Sequence, residues 1–262
     1  MQFLYKIPGY ILLLFGGFCL SWGGFIIRSF EEASIWQILF LRSFFFLLAL
    51  IAFLFVTYKK NTFNIIKESG FPGLLGGFVL SFSFVAFVVA MSNTTVANVV
   101  FIISTQTMFL ALFGYFYLKE KVGIHRWAAV LIGFFGVMII IRPGFIEINF
   151  ASFSAIAAGI SYAFYIIYTR KLSFTDSAVV TLLFTGIVGC IFISLIVPFY
   201  WINLDLRQLL SLISLASIGT LGHFLIILSL RLGEASKLAP LGYFEISTNI
   251  LVGYAFFGDL PD

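Results

Sequence analysis

Apolar runs of about 20 residues, each closed by a short charged or turn-forming cluster, recur from one end of the chain to the other. They lie at 7–27, 35–57, 70–91, 95–118, 123–141, 151–169, 177–200, 209–230 and 235–257. The breaks carry Arg28 to Ser34, Tyr58 to Glu68, Lys119 to Arg126, Arg142 to Asn149, Arg170 to Asp176, Leu204 to Gln208 and Arg231 to Glu234, while that around Asn93 to Thr95 is nearly uncharged. Each run is long enough to cross the hydrocarbon core of a bilayer as a helix. Only 10% of residues are charged and 61% are hydrophobic, against about 25% charged in a soluble domain, so a water-soluble globule is excluded. The aromatic content of 19% suits lipid-facing helices with interfacial belts better than a β-barrel of alternating polarity. The expected class is an all-α, polytopic transmembrane helical bundle, and the length accommodates nine or ten spans.

The net charge of +4 does not mark a nucleic-acid protein, because the basic residues form no run and sit in loop-sized groups. Their distribution predicts topology instead. With the amino terminus inside, one side holds Lys6, Lys59, Lys60, Lys67, Lys119, Lys121, Arg126, Arg170, Lys171, Arg231 and Lys237, and the other only Arg28, Arg142 and Arg207. Basic residues are retained on the cytoplasmic side, so the bias predicts an inner (plasma) membrane protein with a cytoplasmic amino terminus. The first run has one preceding Lys and no small-x-small cleavage site, which reads as a retained span rather than a signal peptide. Cys19 and Cys190 lie apart in apolar runs and support neither a disulfide nor a metal site. No P-loop, H-E-x-x-H, nucleophile elbow or dinucleotide fingerprint occurs, so no cofactor is expected and ATP-driven or hydrolytic chemistry lacks a motif.

The chain also repeats itself. A shift of 140 lays Ser21-Trp22-Gly23-Gly24-Phe25-Ile26-Ile27 on Ser161-Tyr162-Ala163-Phe164-Tyr165-Ile166-Ile167, and a shift of 139 lays Gly114-Tyr115 on Gly253-Tyr254 and Glu120 on Asp259. Two matches at nearly one offset predict a duplicated five-helix unit, 1–141 and 142–262. A unit with an odd number of spans inserts its second copy upside down, the inverted-repeat arrangement of many secondary transporters. At this offset the partner of the fifth helix would begin near 262, so nine spans are expected here and the tenth helix is absent from the second unit.

Arg126-Trp127-Ala128-Ala129-Val130 through Gly133 and Gly136, Arg142-Pro143-Gly144, Gly219 to His223, Ala239-Pro240 with Tyr243, and Phe257-Gly258-Asp259 with Pro261 follow one another in order, with Phe40-Leu41-Arg42-Ser43 and Leu118-Lys119-Glu120 upstream. In this order and spacing the chain resembles the EamA branch of the drug/metabolite transporter superfamily over essentially its whole length. The resemblance implies a ten-helix metabolite transporter of the inner membrane with a central cavity between two repeats. It departs at one point: family members often carry a proline in the middle of the fourth span, where this chain reads Ser104-Thr105-Gln106-Thr107.

A charged side chain at the bilayer centre costs about 2.5 to 3.5 kcal/mol on insertion scales, so each one calls for an explanation. Glu245 falls near the middle of the ninth run, with Gly242 and Asn249 on its helical face and Thr248 beside them. A carboxyl group there can exchange a proton, meet a cationic group of a substrate, or bond helices together. His223 lies mid-way along the eighth run behind Gly219 and Thr220; it can couple to protons with Glu245 or simply bond a backbone carbonyl. Arg42 lies nearer a membrane surface and reads as an anchor that snorkels or pairs with Glu31 or Glu32. Trp22 and Tyr162 hold matching repeat positions and, with Gln106 and Tyr243, are candidates to line a path by stacking and hydrogen bonding. Gly73 with Gly77, Gly133 with Gly136, Gly186 with Gly189, and Gly219 with Gly222 read as surfaces of close helix approach. Pro240 marks a kink, or a loosening of the ninth helix that frees carbonyls toward a cavity.

The function expected is secondary transport, by alternating access, of a small polar or amphipathic metabolite of the amino acid, nucleoside-derivative or vitamin class. Its partners are the lipid bilayer, that small-molecule substrate and protons, with a homodimer left open and no nucleic acid. A membrane-embedded enzyme using Glu245 and His223 on a lipid-soluble substrate, and a non-transporting scaffold, stand as alternatives.

Overall fold

The computed structural model describes residues 7–28, 34–94, 96–120, 123–141, 149–172 and 177–257, and among these every regular element is helical. The expectations placed on Lys6, Glu31, Glu32, Lys121, Arg142 to Gly144 and Gly258 to Asp262 lie outside the described residues. The helices are α1 (Gly9–Arg28), α2 (Ile35–Tyr58), α3 (Thr62–Asn93), α4 (Val96–Ser104), α5 (Gln106–Tyr117), α6 (Ile124–Ile141), α7 (Phe150–Leu172), α8 (Ser177–Ser194), α9 (Leu206–Leu232), α10 (Ala235–Leu238) and α11 (Gly242–Phe257). Stretches long and apolar enough to cross a membrane occur in Ile35–Asn93, Asn98–Tyr117, Phe150–Leu172 and Leu206–Leu232, beside shorter apolar helices over Gly9–Gly23, Trp127–Gly136 and Val179–Ser194. Large apolar side chains such as Phe15, Val56, Phe71, Phe116, Phe153 and Phe199 stand exposed on the outside of the bundle. Water does not tolerate so continuous an apolar surface; lipid does, and the protein is a multi-pass membrane helical bundle.

Three apolar runs are less regular than their periodicity predicts. The third begins eight residues early, at Thr62, and bends at Gly70, whose φ of 50° and following Pro72 interrupt the helix. The fourth divides into α4 and α5 at Thr105 without a proline. There the Ser104 hydroxyl donates to the Phe101 carbonyl (2.6 Å), and both the Thr105 hydroxyl and backbone N–H donate to the Ile102 carbonyl (2.6 and 3.2 Å). Hydroxyls that compete for carbonyls three residues back tighten the turn locally. The ninth passes from α10 through a 3₁₀ turn, Ala239–Leu241, that contains Pro240.

Two ends of the bundle are tied by different chemistry. At one end Ser34 caps α2, and the fully buried Gln37 amide donates to the Ile202 carbonyl (2.7 Å) while accepting the Ile202 N–H (3.2 Å). Asp205 and Gln208 form a capping box that starts α9 beside it. At the other, basic end, Arg170 at the close of α7 donates to the Leu230 carbonyl of α9 and lies 3.9 Å from Glu120. Glu120 in turn accepts the Ala235 N–H (3.2 Å), so one carboxylate joins the ends of α5, α7 and α10.

Between these ends α1 packs along α9 and α11, and α7 packs along α3, α4 and α5. The α1–α9 seam is antiparallel: Gly9 faces Ser229, Gly16 faces Gly222 and Gly23 approaches Leu215. A Cβ at Gly16 would stand 2.9 Å from the Gly222 carbonyl oxygen, so these two backbones are in direct contact. Gly77 seats α3 on the backbone of Phe184 and Thr185 in α8 in the same way, and Gly186 meets Leu47. Gly136 and Gly219, in contrast, face open space and hold no helix against another.

Candidate functional site

The bundle encloses two adjoining cavities. The first, of about 90 Å³, is lined by Arg42 of α2, Ser83 and Phe84 of α3, Gln106, Tyr162, His223 and Glu245, among others. The second, of about 50 Å³, shares Gln106, Tyr162 and Glu245 and is otherwise mostly apolar, with Leu13, Leu110, Ile166, Ile226 and Leu230 in its wall. Depth follows from position along the helices. Arg42 lies in the first third of α2 and Ser83 in the last third of α3, both toward the end tied by Gln37. Leu13, Leu230 and Leu238 lie toward the basic end. The cavities are therefore stacked along the bundle axis, and Gln106, Tyr162 and Glu245 form the waist between them.

Local structure places each waist residue. Gln106 is the first residue of α5, immediately after the Thr105 break, on α7's side of the bundle. Tyr162 stacks on the fully buried Tyr165 with ring centroids 6.2 Å apart, and Tyr165 is itself placed by Thr181 (3.5 Å). Glu245 stands on the first turn of α11 against Gly17 of α1, where a Cβ would come within 3.1 Å of the Glu245 Cβ. His223 sits among the rings of Phe46, Phe84 and Tyr162 at centroid distances of 6.2, 5.2 and 6.0 Å. The Tyr162 hydroxyl, the His223 Nδ1 and the Arg42 Nη1 are buried yet make no hydrogen bond. Buried polar atoms are almost always satisfied, so three unsatisfied ones around one cavity mark a place where a ligand or water supplies the partners.

Four of the seven residues singled out from sequence, Gln106, Tyr162, His223 and Glu245, thus meet at the cavities. The other three do not line them. Trp22 packs edge-on against Phe18, Phe25 and Phe256 at 5.9 to 6.3 Å, inside an aromatic cluster between α1 and α11. Tyr243 lies two residues before Glu245 and so points to the opposite side of α11. Its hydroxyl donates to the Val130 carbonyl (2.8 Å) and its ring covers Gly133, clamping α11 onto α6. The Asn249 amide donates to the Glu245 carbonyl one turn back (3.1 Å) and is spent on its own helix. Conversely, Arg42 does not behave as a surface anchor: its guanidinium lies 3.9 Å over the Phe84 ring in the wall of the first cavity. Its partner lies 42 positions away and nothing in the local pattern announces it.

Among the described residues no cluster of His, Cys, Asp and Glu could hold a metal ion.

Comparison with known proteins places the chain in context. The model of the EamA-like transporter family matches residues 7–142. An S-adenosylmethionine uptake transporter of Rickettsia bellii is 28% identical over 236 residues, 90% of this chain and 78% of the relative. A riboflavin transporter of Vibrio cholerae is 29% identical over 161 residues, 61% of this chain and 54% of the relative. A solved crystal structure superposes with a TM-score of 0.78 at 15% identity, covering 97% of this chain and 90% of that one, and so shares the fold.

Proposed function

The chain belongs to the EamA-like transporter family and is a metabolite transporter rather than an enzyme, and from that premise we propose that it moves a small polar or amphipathic metabolite across the inner membrane by alternating access. The substrate class is that of amino acids, nucleoside derivatives or vitamins, in keeping with relatives named for S-adenosylmethionine and riboflavin. The observation that carries the reading is the pair of stacked cavities meeting at Gln106, Tyr162 and Glu245. Exposing first one cavity and then the other, while the waist passes the solute, is what alternating access requires.

The packing supports a duplicated unit. Under the 140-residue shift α1 corresponds to α7, α3 to α9, and α4 with α5 to α10 with α11. The contacts then match: α1 packs on α9 and α11 as α7 packs on α3, α4 and α5. The units 1–141 and 142–262 would rock against each other around the waist.

Glu245 and His223 line the same cavity, which supports coupling of transport to protons. Uptake and efflux in membrane vesicles, with a panel of amino acids, nucleoside derivatives and vitamins and with or without a pH gradient, test the proposal. At least one solute moves, and a pH gradient drives it. In Glu245→Gln the drive is lost while passive exchange persists. Folded protein that moves no solute under any gradient sinks the reading.

A further inference from the structure

The first cavity is lined by one basic and one acidic side chain, Arg42 and Glu245, which form no ion pair with each other. The two side chains stand on separate helices, α2 and α11, and the Arg42 Nη1 is buried without a hydrogen-bond partner. A buried charge left without a counter-charge is costly. A molecule that brings a carboxylate to the unbonded Arg42 Nη1 and a cationic group to Glu245, on the opposite helix of the same space, completes the arrangement. The Arg42 guanidinium carbon lies 3.9 Å over the Phe84 ring, a cation–π contact that leaves N–H donors of the planar fork for a carboxylate.

We infer that this cavity recognises a zwitterion, with the carboxylate on Arg42 and the cationic group of the same molecule on Glu245, and that Arg42 is a specificity-determining residue of transport. The Tyr162 hydroxyl and His223 Nδ1, also unsatisfied, supply further hydrogen bonds to the charged head. The second cavity, beyond the waist, is walled by Leu13, Leu110, Ile166, Ile226 and Leu230 and takes the uncharged remainder. The substrate class is therefore a molecule with an amino-acid-type head and an apolar or flat body. This rests on the transporter reading and narrows it.

The test uses the full chain in lipid nanodiscs for binding and in proteoliposomes for flux. The probes are S-adenosylmethionine and L-phenylalanine, each beside the analogue without its carboxylate (decarboxylated S-adenosylmethionine, phenethylamine); 3-phenylpropionate, which lacks the ammonium; and uncharged riboflavin. At least one zwitterion binds, and its truncated analogues bind at least about tenfold more weakly. In Arg42→Gln the penalty for losing the carboxylate disappears while that for losing the ammonium remains; Glu245→Gln gives the reverse. Each preference is a ratio within one protein, so a partly unfolded preparation changes the amplitude and not the ratio. Arg42→Lys, which keeps the charge and loses the fork, falls between wild type and Arg42→Gln. Truncated analogues binding as tightly as their parents, an unchanged ratio in Arg42→Gln, or flux of riboflavin alone overturns the zwitterion inference and leaves the transporter reading standing. No flux of any probe or of the wider metabolite panel overturns both.

Discussion

Two tyrosines on different helices, Tyr243 of α11 and Tyr162 of α7, show how the same residue type divides between scaffold and site. Tyr243 spends its hydroxyl on the Val130 carbonyl, whereas the Tyr162 hydroxyl is buried and unbonded at the waist. Removing a satisfied intramolecular hydrogen bond costs about 0.5 to 1.5 kcal/mol, so Tyr243→Phe lowers thermal stability in detergent by that amount and leaves substrate affinity unchanged. Tyr162→Phe has the opposite profile, with stability kept and the apparent affinity for a transported solute reduced. An unfolding curve and an uptake titration on each variant check both. Glu245 and His223 stand out in sequence because a charge or an imidazole in an apolar run is conspicuous by itself, and both line the first cavity. The repeat match of Trp22 with Tyr162 carries backbone position and not packing. Phe256 comes from a distant helix to cover Trp22, while Tyr162 is left facing the cavities.

Helix seams were legible as a pattern of small residues but not as a choice among them. The same small-xxx-small logic marks Gly77 and Gly219, yet a Cβ at Gly77 would meet the Phe184 and Thr185 backbone at 2.7 to 2.8 Å, and one at Gly219 meets nothing within 4 Å. Overpacking of a close seam costs typically about 1 to 3 kcal/mol, so Gly77→Val separates α3 from α8 and destabilises by at least that much. Gly219→Ala gains helix propensity, about 0.5 to 1 kcal/mol, with no clash. Melting temperatures of the two variants in one detergent move in opposite directions. The break in the fourth run was the harder element to foresee, because the sequence there has no glycine or proline, only hydroxyls that turn back on their own carbonyls.

At the scale of the whole molecule the bundle class was the most legible feature, since apolar runs of membrane length admit few other folds. The cavities were the least, because they arise between helices distant in sequence. The basic end carries Lys59, Lys60, Lys119, Arg170, Lys171, Arg231 and Lys237, and the charge bias predicts that it faces the cytoplasm. Reporter fusions at Lys60 and Lys119 therefore show cytoplasmic-type activity, and fusions at Asn149 and Asn203 show external-type activity; the reverse pattern refutes the orientation. The breaks at Thr105 and Pro240 differ in one further respect. A turn held by hydroxyls is mended when Ser104 and Thr105 rotate away and the backbone resumes its regular ladder, but a turn containing proline has no N–H with which to resume it. One elbow of the molecule can straighten and the other cannot. In the alternating-access cycle proposed above, the Thr105 elbow is the one free to change its bend, and the Pro240 elbow serves as a fixed pivot.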